Sequence, residues 1–98
     1  MFNRIAPQRA QHSLGFIVQT GGRFAIQYLE KDFVVEVMTD LTDAIAPLYV
    51  DTLAINKAGT IPSGLSPERA KVILDRIKDG LDCLEIKYEI CEGRPYNT

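Results

Sequence analysis

The sequence is poor in the residues that carry most enzyme chemistry. Cys83 and Cys91 are its only cysteines. They form no C-x-x-C pair, and two sulfurs cannot make a zinc site without added ligands. Reduced thiols in the cytosol are the default for such a chain, although a Cys83–Cys91 disulfide is possible on paper. Neither cysteine has the basic neighbours or the helix N-terminus that would activate a thiolate. His12 is the only histidine and lies in the least patterned stretch, which disfavours a catalytic pair with either cysteine. There is no Gly-rich phosphate loop ending in Lys-Ser or Lys-Thr, and no Gly-x-Ser-x-Gly elbow. The longest uninterrupted apolar stretch runs from Ala44 to Val50, whereas a membrane span needs about 20 residues. The start, Met1 to Pro7, lacks the apolar centre of a signal peptide.

What is present resembles an ordinary soluble domain. The chain has 98 residues, 46% of them hydrophobic and 24% charged, which suits one domain, 1–98, with a thin core. The formal net charge is −2. With no basic run, nucleic acid is a poor candidate partner. The average conceals an uneven layout, with +3 over residues 1–29, −5 over 30–51 and zero over 52–98. The acidic middle can form a surface patch. Asp40, Asp43 and Asp51 do not have the Asp-x-Asp-x-Asp-Gly spacing of a calcium loop, so no metal and no cofactor is expected.

Residues 1–13 read as an extended arm or a short edge strand. Leu14, Phe16 and Val18 alternate with Gly15, Ile17 and Gln19, the period of a strand with one buried face. Gly21-Gly22 suits a tight hairpin turn with positive φ at both positions. A second strand follows over Arg23–Leu29, with Phe24, Ile26 and Tyr28 on the core face. Glu30-Lys31-Asp32 is a charged turn, and Phe33–Met38 a third strand with Phe33, Val35 and Val37 inward. Connections this short make an antiparallel meander. Pro47 disfavours a helix over Ala44–Ala46. Leu48-Tyr49-Val50 is then a fourth strand, which Leu53-Ala54-Ile55 either continues or follows as a fifth. Residues 57–64 form a loop.

The clearest element starts at Ser66, a good N-cap, with Pro67 at the first helical position and Glu68 in the first turn. Ala70, Ile73, Leu74, Ile77 and Leu81 share one face, so an amphipathic helix is predicted to about Leu84. Gly80 is either its C-cap or a weak interior position. Ile86, Tyr88 and Ile90 alternate through a last strand ending at Cys91, and 92–98 form a mobile tail. The fold class is α+β: an antiparallel meander sheet, one long amphipathic helix packed on one face, and a final strand joining the sheet. Phe16, Phe24, Tyr28, Phe33 and Tyr88 fall on core faces, leaving Tyr49 and Tyr96 as the aromatics least explained by packing.

The run Arg23–Glu30 into Phe33–Val37, the Leu48-Tyr49-Val50 strand, Leu65–Arg69 with Ile73–Ile77, and the closing Ile86–Ile90 resemble the small bacterial proteins of immunity protein family 74, from polymorphic toxin systems. The similarity covers residues 22–91. It implies a cytosolic protein, not an enzyme, that binds a cognate toxin and occludes its active site without catalytic residues. An acidic patch would complement a basic toxin surface. Partner contact is expected around Asp40, Asp43, Tyr49 and Asp51, where the acidic segment meets an exposed aromatic anchor. The competing reading is a structural or interaction module, such as a homodimer built through sheet edges by the 1–13 arm. An enzyme ranks third.

Overall fold

The computed structural model describes residues 1–31, 33–42, 44–55 and 66–92. Strands β1 (Phe2–Ala6), β2 (Arg9–His12), β3 (Ile17–Thr20), β4 (Ala25–Glu30), β5 (Phe33–Met38) and β6 (Ala46–Ile55) follow one another. Helix α1 (Pro67–Cys83) and strand β7 (Tyr88–Cys91) complete the order. All seven strands belong to one curled sheet in which spatial order equals chain order. Every neighbouring pair is antiparallel except β6 and β7, which run parallel. Parallel neighbours need a long crossover, and α1 lies within it. The α+β architecture, with one helix packed on the sheet and the last strand joining it, is the one the sequence patterns indicate.

Several local readings change. Residues 1–13 form neither an extended arm nor a single edge strand but a two-stranded hairpin, whose first strand is the sheet edge and whose second pairs with β3. Ala10 of β2 is fully buried, and α1 packs on β1, β2 and β3. The hairpin is therefore part of the core. Leu14 does not belong to a strand: residues 13–15 turn, with the Gly15 N–H donating to His12 O at 2.8 Å, and Leu14 is 77% exposed. Phe24 is likewise outside β4 and 45% exposed, with the Arg23 guanidinium over its ring. The reason lies in the Gly21-Gly22 connection. Of the two, only Gly22 has a positive φ, 79°, so the chain does not make the tight type I′ turn, which needs positive φ at both, nor the type II′ turn, which needs it at the first. It makes a wider loop closed by Gly21 N–H to Ala25 O at 2.8 Å.

The middle resolves in favour of one strand. Leu53-Ala54-Ile55 continue β6, and the irregularity lies in the pairing, where Glu36 faces Ala54 but Met38 faces Tyr49. Pro47 is accommodated because pairing with β5 reaches no nearer to it than Tyr49. The predicted loop over 57–64 and most of the tail over 92–98, with Tyr96, lie outside the described residues, as does the side chain of Phe33.

Helix α1 begins as its sequence dictates. Ser66 Oγ accepts the Arg69 N–H at 3.3 Å, and Pro67 follows. The C-terminus is a Schellman motif: Ile86 N–H donates to Leu81 O and Glu85 N–H to Asp82 O. Glu85 holds the left-handed position there, at φ 60°, which usually belongs to glycine. Arg4 of β1 donates to Leu84 O at 2.7 Å, satisfying a helix-end carbonyl from across the fold.

The buried helix stripe is Ile73, Ile77, Gly80 and Leu81. Ala70 and Leu74, expected on it, are half-buried at its margin. Gly80 is interior rather than a cap, and it is there because the backbone comes so close to β3. A Cβ on Gly80 would lie 2.5 Å from Val18 Cβ. Around this contact Phe16, Val18, Ile26, Tyr28, Val35, Val37 and Leu48 form the core with the helix stripe. Ile86 and Tyr88 pack against it, but Ile90 at the far end of β7 is 47% exposed. Its register position is opposite buried Leu48, so it shares the inner face but lies at the outermost strand.

Candidate functional site

Among the residues singled out from the sequence, Asp40 and Tyr49 are described with their side chains. Asp40 follows β5 and is engaged locally. Its Oδ1 accepts from the Thr42 N–H at 3.1 Å and from Thr42 Oγ1 at 2.6 Å, and Arg23 Nε lies 3.7 Å away. The two Thr42 hydrogen bonds, then the Arg23 charge, hold its carboxyl below the usual range against a small opposing desolvation. Asp40 is thus a partly neutralised loop cap. Tyr49 is half-buried in β6, opposite Met38 on β5 and Cys91 on β7. Asp51 follows two residues later in the same strand, and Asp43 lies outside the described residues. The structure therefore brings Asp40 and Tyr49 to the same end of β5 and β6.

Tyr49 belongs to a larger surface that the sequence patterns did not single out. Strand alternation sends Val18, Tyr28, Val35 and Leu48 inward and their neighbours outward. Register aligns these outward residues in rows across the sheet. Ile17, Leu29 and Val34 form one row, Gln19, Gln27 and Glu36 the next, and Ala25, Met38 and Tyr49 a third. In the middle row Gln19 Nε2 donates to Gln27 Oε1 at 2.8 Å, and Gln27 Nε2 to Glu36 Oε2 at 3.1 Å. A polar ladder thus runs between two apolar rows. Among the described residues, no helix packs on this face, because α1 takes the other one.

A second cluster lies at the opposite end of the sheet, under the helix. Glu30, read from sequence as a turn charge, ends β4 and points to α1. One of its carboxylate oxygens accepts from Tyr28 Oη and, at 3.0 Å, from Arg76; the other accepts from Arg69. Arg76 also donates to Tyr28 Oη at 2.7 Å and covers the Phe16 ring at 4.2 Å from its centroid. His12 stacks on Phe16, with ring centroids 4.4 Å apart, and Phe2 meets both edge-on. The one histidine is therefore an aromatic packing element of the N-terminal hairpin. Desolvation, then nearby positive charge including Arg76, lowers its pKa, with Asp79 opposing.

Burial pushes the Tyr28 hydroxyl up to about 12, the Glu30 hydrogen bond adds to that, and Arg76 opposes it. For Glu30, burial favours the neutral acid. The Tyr28 hydrogen bond, followed by the charges and hydrogen bonds of the two arginines, outweighs it and holds the carboxyl below its ordinary value. Both carboxylate oxygens are occupied and the tyrosine proton is committed to one of them. The cluster is a brace between β4 and α1 from its first turn to its middle, beside a cleft of about 280 Å³ lined by Leu14, Gly15, Phe16, Glu30, Lys31 and Arg76. A sequence signal for it existed: Arg69 and Arg76 are seven residues apart, two helical turns, flanking the apolar stripe.

No family model, curated protein or solved structure matches this chain. Both thiols are free and half-buried. Among the described residues no three His, Cys, Asp or Glu side chains gather as a metal site, and no helix is long and apolar enough to cross a membrane.

Proposed function

We propose that the chain is a small cytosolic binding protein that neutralises a cognate toxin by covering its active site, as the resemblance to immunity protein family 74 implies. The observation that supports this reading is the outer sheet face, where the ladder Gln19–Gln27–Glu36 lies between the rows Ile17–Leu29–Val34 and Ala25–Met38–Tyr49. Apolar rows beside oriented polar groups are the composition of a protein interface, which gains area from the first and register from the second. The rigid sheet presents them without reordering, so little entropy is lost on binding.

Tyr49 supplies an aromatic anchor at one border of that face. Asp40 follows the same end of β5, and the acidic middle segment of the sequence, which includes Asp43 and Asp51, would steer a basic partner toward it. The mechanism is occlusion, and it requires no proton transfer or nucleophile.

The test is protection. A protein captured by the tagged chain in its native host should arrest cells when produced alone, and co-producing the chain should restore their growth. Tyr49→Ala and the joint reversal Asp40→Lys with Asp43→Lys should each weaken the complex. Survival without the chain, or affinity that neither variant changes, rejects the reading or the assigned surface respectively.

A further inference from the structure

We propose that the chain forms a two-fold dimer through the outer edge of β7, with Tyr88 on the axis. Strand β7 is last in the sheet order, and among the described residues nothing pairs with its far side. The direction of its backbone groups follows from one hydrogen bond. Ala46 N–H donates to Lys87 O at 2.8 Å, so Lys87 faces β6. Alternation then turns the N–H and C=O of Tyr88 and Ile90 to the open edge. Groups so placed accept a new strand.

The two sheet edges are not equivalent. Strand β1, the other edge, is interrupted by a register shift between Arg4 and Ala6, is followed by Pro7, and sends Arg4 to the helix end. Bulges, prolines and charges are the devices that keep an edge from pairing. Strand β7 carries no register shift against β6 and no proline.

A second copy fits this edge in one register. When two β7 strands run antiparallel about Tyr88, Tyr88 exchanges both backbone hydrogen bonds with its symmetry mate. Lys87 then faces Glu89 of the other copy, and Glu89 faces Lys87. These are non-hydrogen-bonded pairs, where side chains approach most closely. Ile90 faces Ile86 across the axis. Moving the axis to Glu89 would set two carboxylates against each other, and moving it to Ile90 would set Glu89 against Cys91 instead of Lys87, so charge favours the Tyr88 register.

The same register covers exposed apolar surface. Ile45 and Ile90 are 48% and 47% exposed. A groove of about 720 Å³ lined by Ile45, Asp82, Glu85, Ile86, Lys87 and Tyr88 lies beside the strand. Ile90 of the second copy comes to this groove by its side chain, next to Ile86, whose own N–H is held by Leu81 O. The interface leaves the outer face around Gln27 and Tyr49 accessible and is independent of any toxin.

Light scattering after size-exclusion chromatography over a concentration series tests this. The chain should convert from monomer to dimer in the micromolar range. Lys87→Glu and Glu89→Lys each replace two opposite-charge pairs with two like-charge pairs, and each should weaken self-association by roughly tenfold. Mixed in equal amounts, the two variants regain complementary charges and should form a heterodimer as tight as the parent. This recovery also shows that both variants are folded. A chain that is monomeric at all concentrations, single reversals without effect, or a mixture that fails to associate overturns the proposal.

Discussion

The two faces of the sheet are made by alternate residues of the same strands, and they behave as different materials. On the inner face Val18, Ile26, Tyr28, Val35, Val37 and Leu48 are buried to within 0% exposure and close on Ile73, Ile77 and Leu81 of the helix. The approach is so near that Gly80 has no room for a Cβ. On the outer face Gln19, Gln27 and Glu36 are half-buried and hold one another through side-chain hydrogen bonds. The inner face carries stability and has no tolerance for changes of volume. The outer face is ordered by register and by this ladder of side-chain hydrogen bonds, with no helix packed on it among the described residues.

The largest effect expected from this contrast is at Ile77. Ile77→Ala should cost about 2–5 kcal/mol, lost contacts plus a cavity, read as a fall in the urea midpoint at unchanged slope. Gly80→Ala comes next. Alanine gains roughly 1 kcal/mol of helix propensity, but overpacking against Val18 costs about 1–3 kcal/mol, so the net change is destabilising. Adding Val18→Ala should restore part of the loss, a non-additivity that measures the contact. Gly80→Ala that stabilises the protein would show that helix and sheet are not in close contact.

The brace at Glu30 makes the inner face sensitive to pH at both extremes. Tyr28 is raised from 10 to about 12. Its contribution is complete below pH 10, because the neutral phenol is the form the fold prefers, and it declines as the pH rises through about 12. Glu30 is lowered, so its contribution is complete above its ordinary 4.5 and is lost as the pH falls through the lower folded value. Thermal melts across pH should show both limbs, and Tyr28→Phe should flatten the alkaline one. A profile indifferent to that substitution would separate the brace from stability.

Two smaller effects sharpen the comparison. Glu85→Gly relieves the left-handed backbone at the helix end and should raise stability by about 1 kcal/mol. Gln27→Ala, at the centre of the outer ladder, should cost only about 0.5–1 kcal/mol by the same urea titration. A loss as large as that of Ile77→Ala would abolish the distinction between the faces.

Much of this arrangement was legible in residue order. Ser66-Pro67-Glu68 carry their own reasons for starting a helix, and Phe33–Met38 alternates through one strand, because capping and side-chain period are local properties. The readings that changed depend on distant partners. Leu14 and Phe24 continue an apolar alternation in sequence, yet the wider turns at Gly15 and Gly22 carry both outside the strands. Residues 1–13 have no strong pattern because their burial is supplied by β3 and α1. Of the candidate site, Tyr49 was legible as an unexplained aromatic, and Asp40 as part of an acidic run. The Asp40–Asp43 stretch reads in sequence as a turn with Thr42 or Asp43 as its cap, whereas the cap is Asp40 and the Arg23 contact has no local signal.

The α+β class, the helix from Pro67, the hydrophobic faces of β4 and β5 and the concentration of acids in the middle of the chain are all written in residue order. These follow from spacing and composition within a few residues. Only the tertiary structure decided that β7 runs parallel to β6, that Glu30 points inward to Arg69 and Arg76, and that Gly80 rests on Val18. It also decided which outward residues form rows. Each of these depends on the register of segments far apart in the chain, and register is set by the whole packed sheet rather than by any one strand.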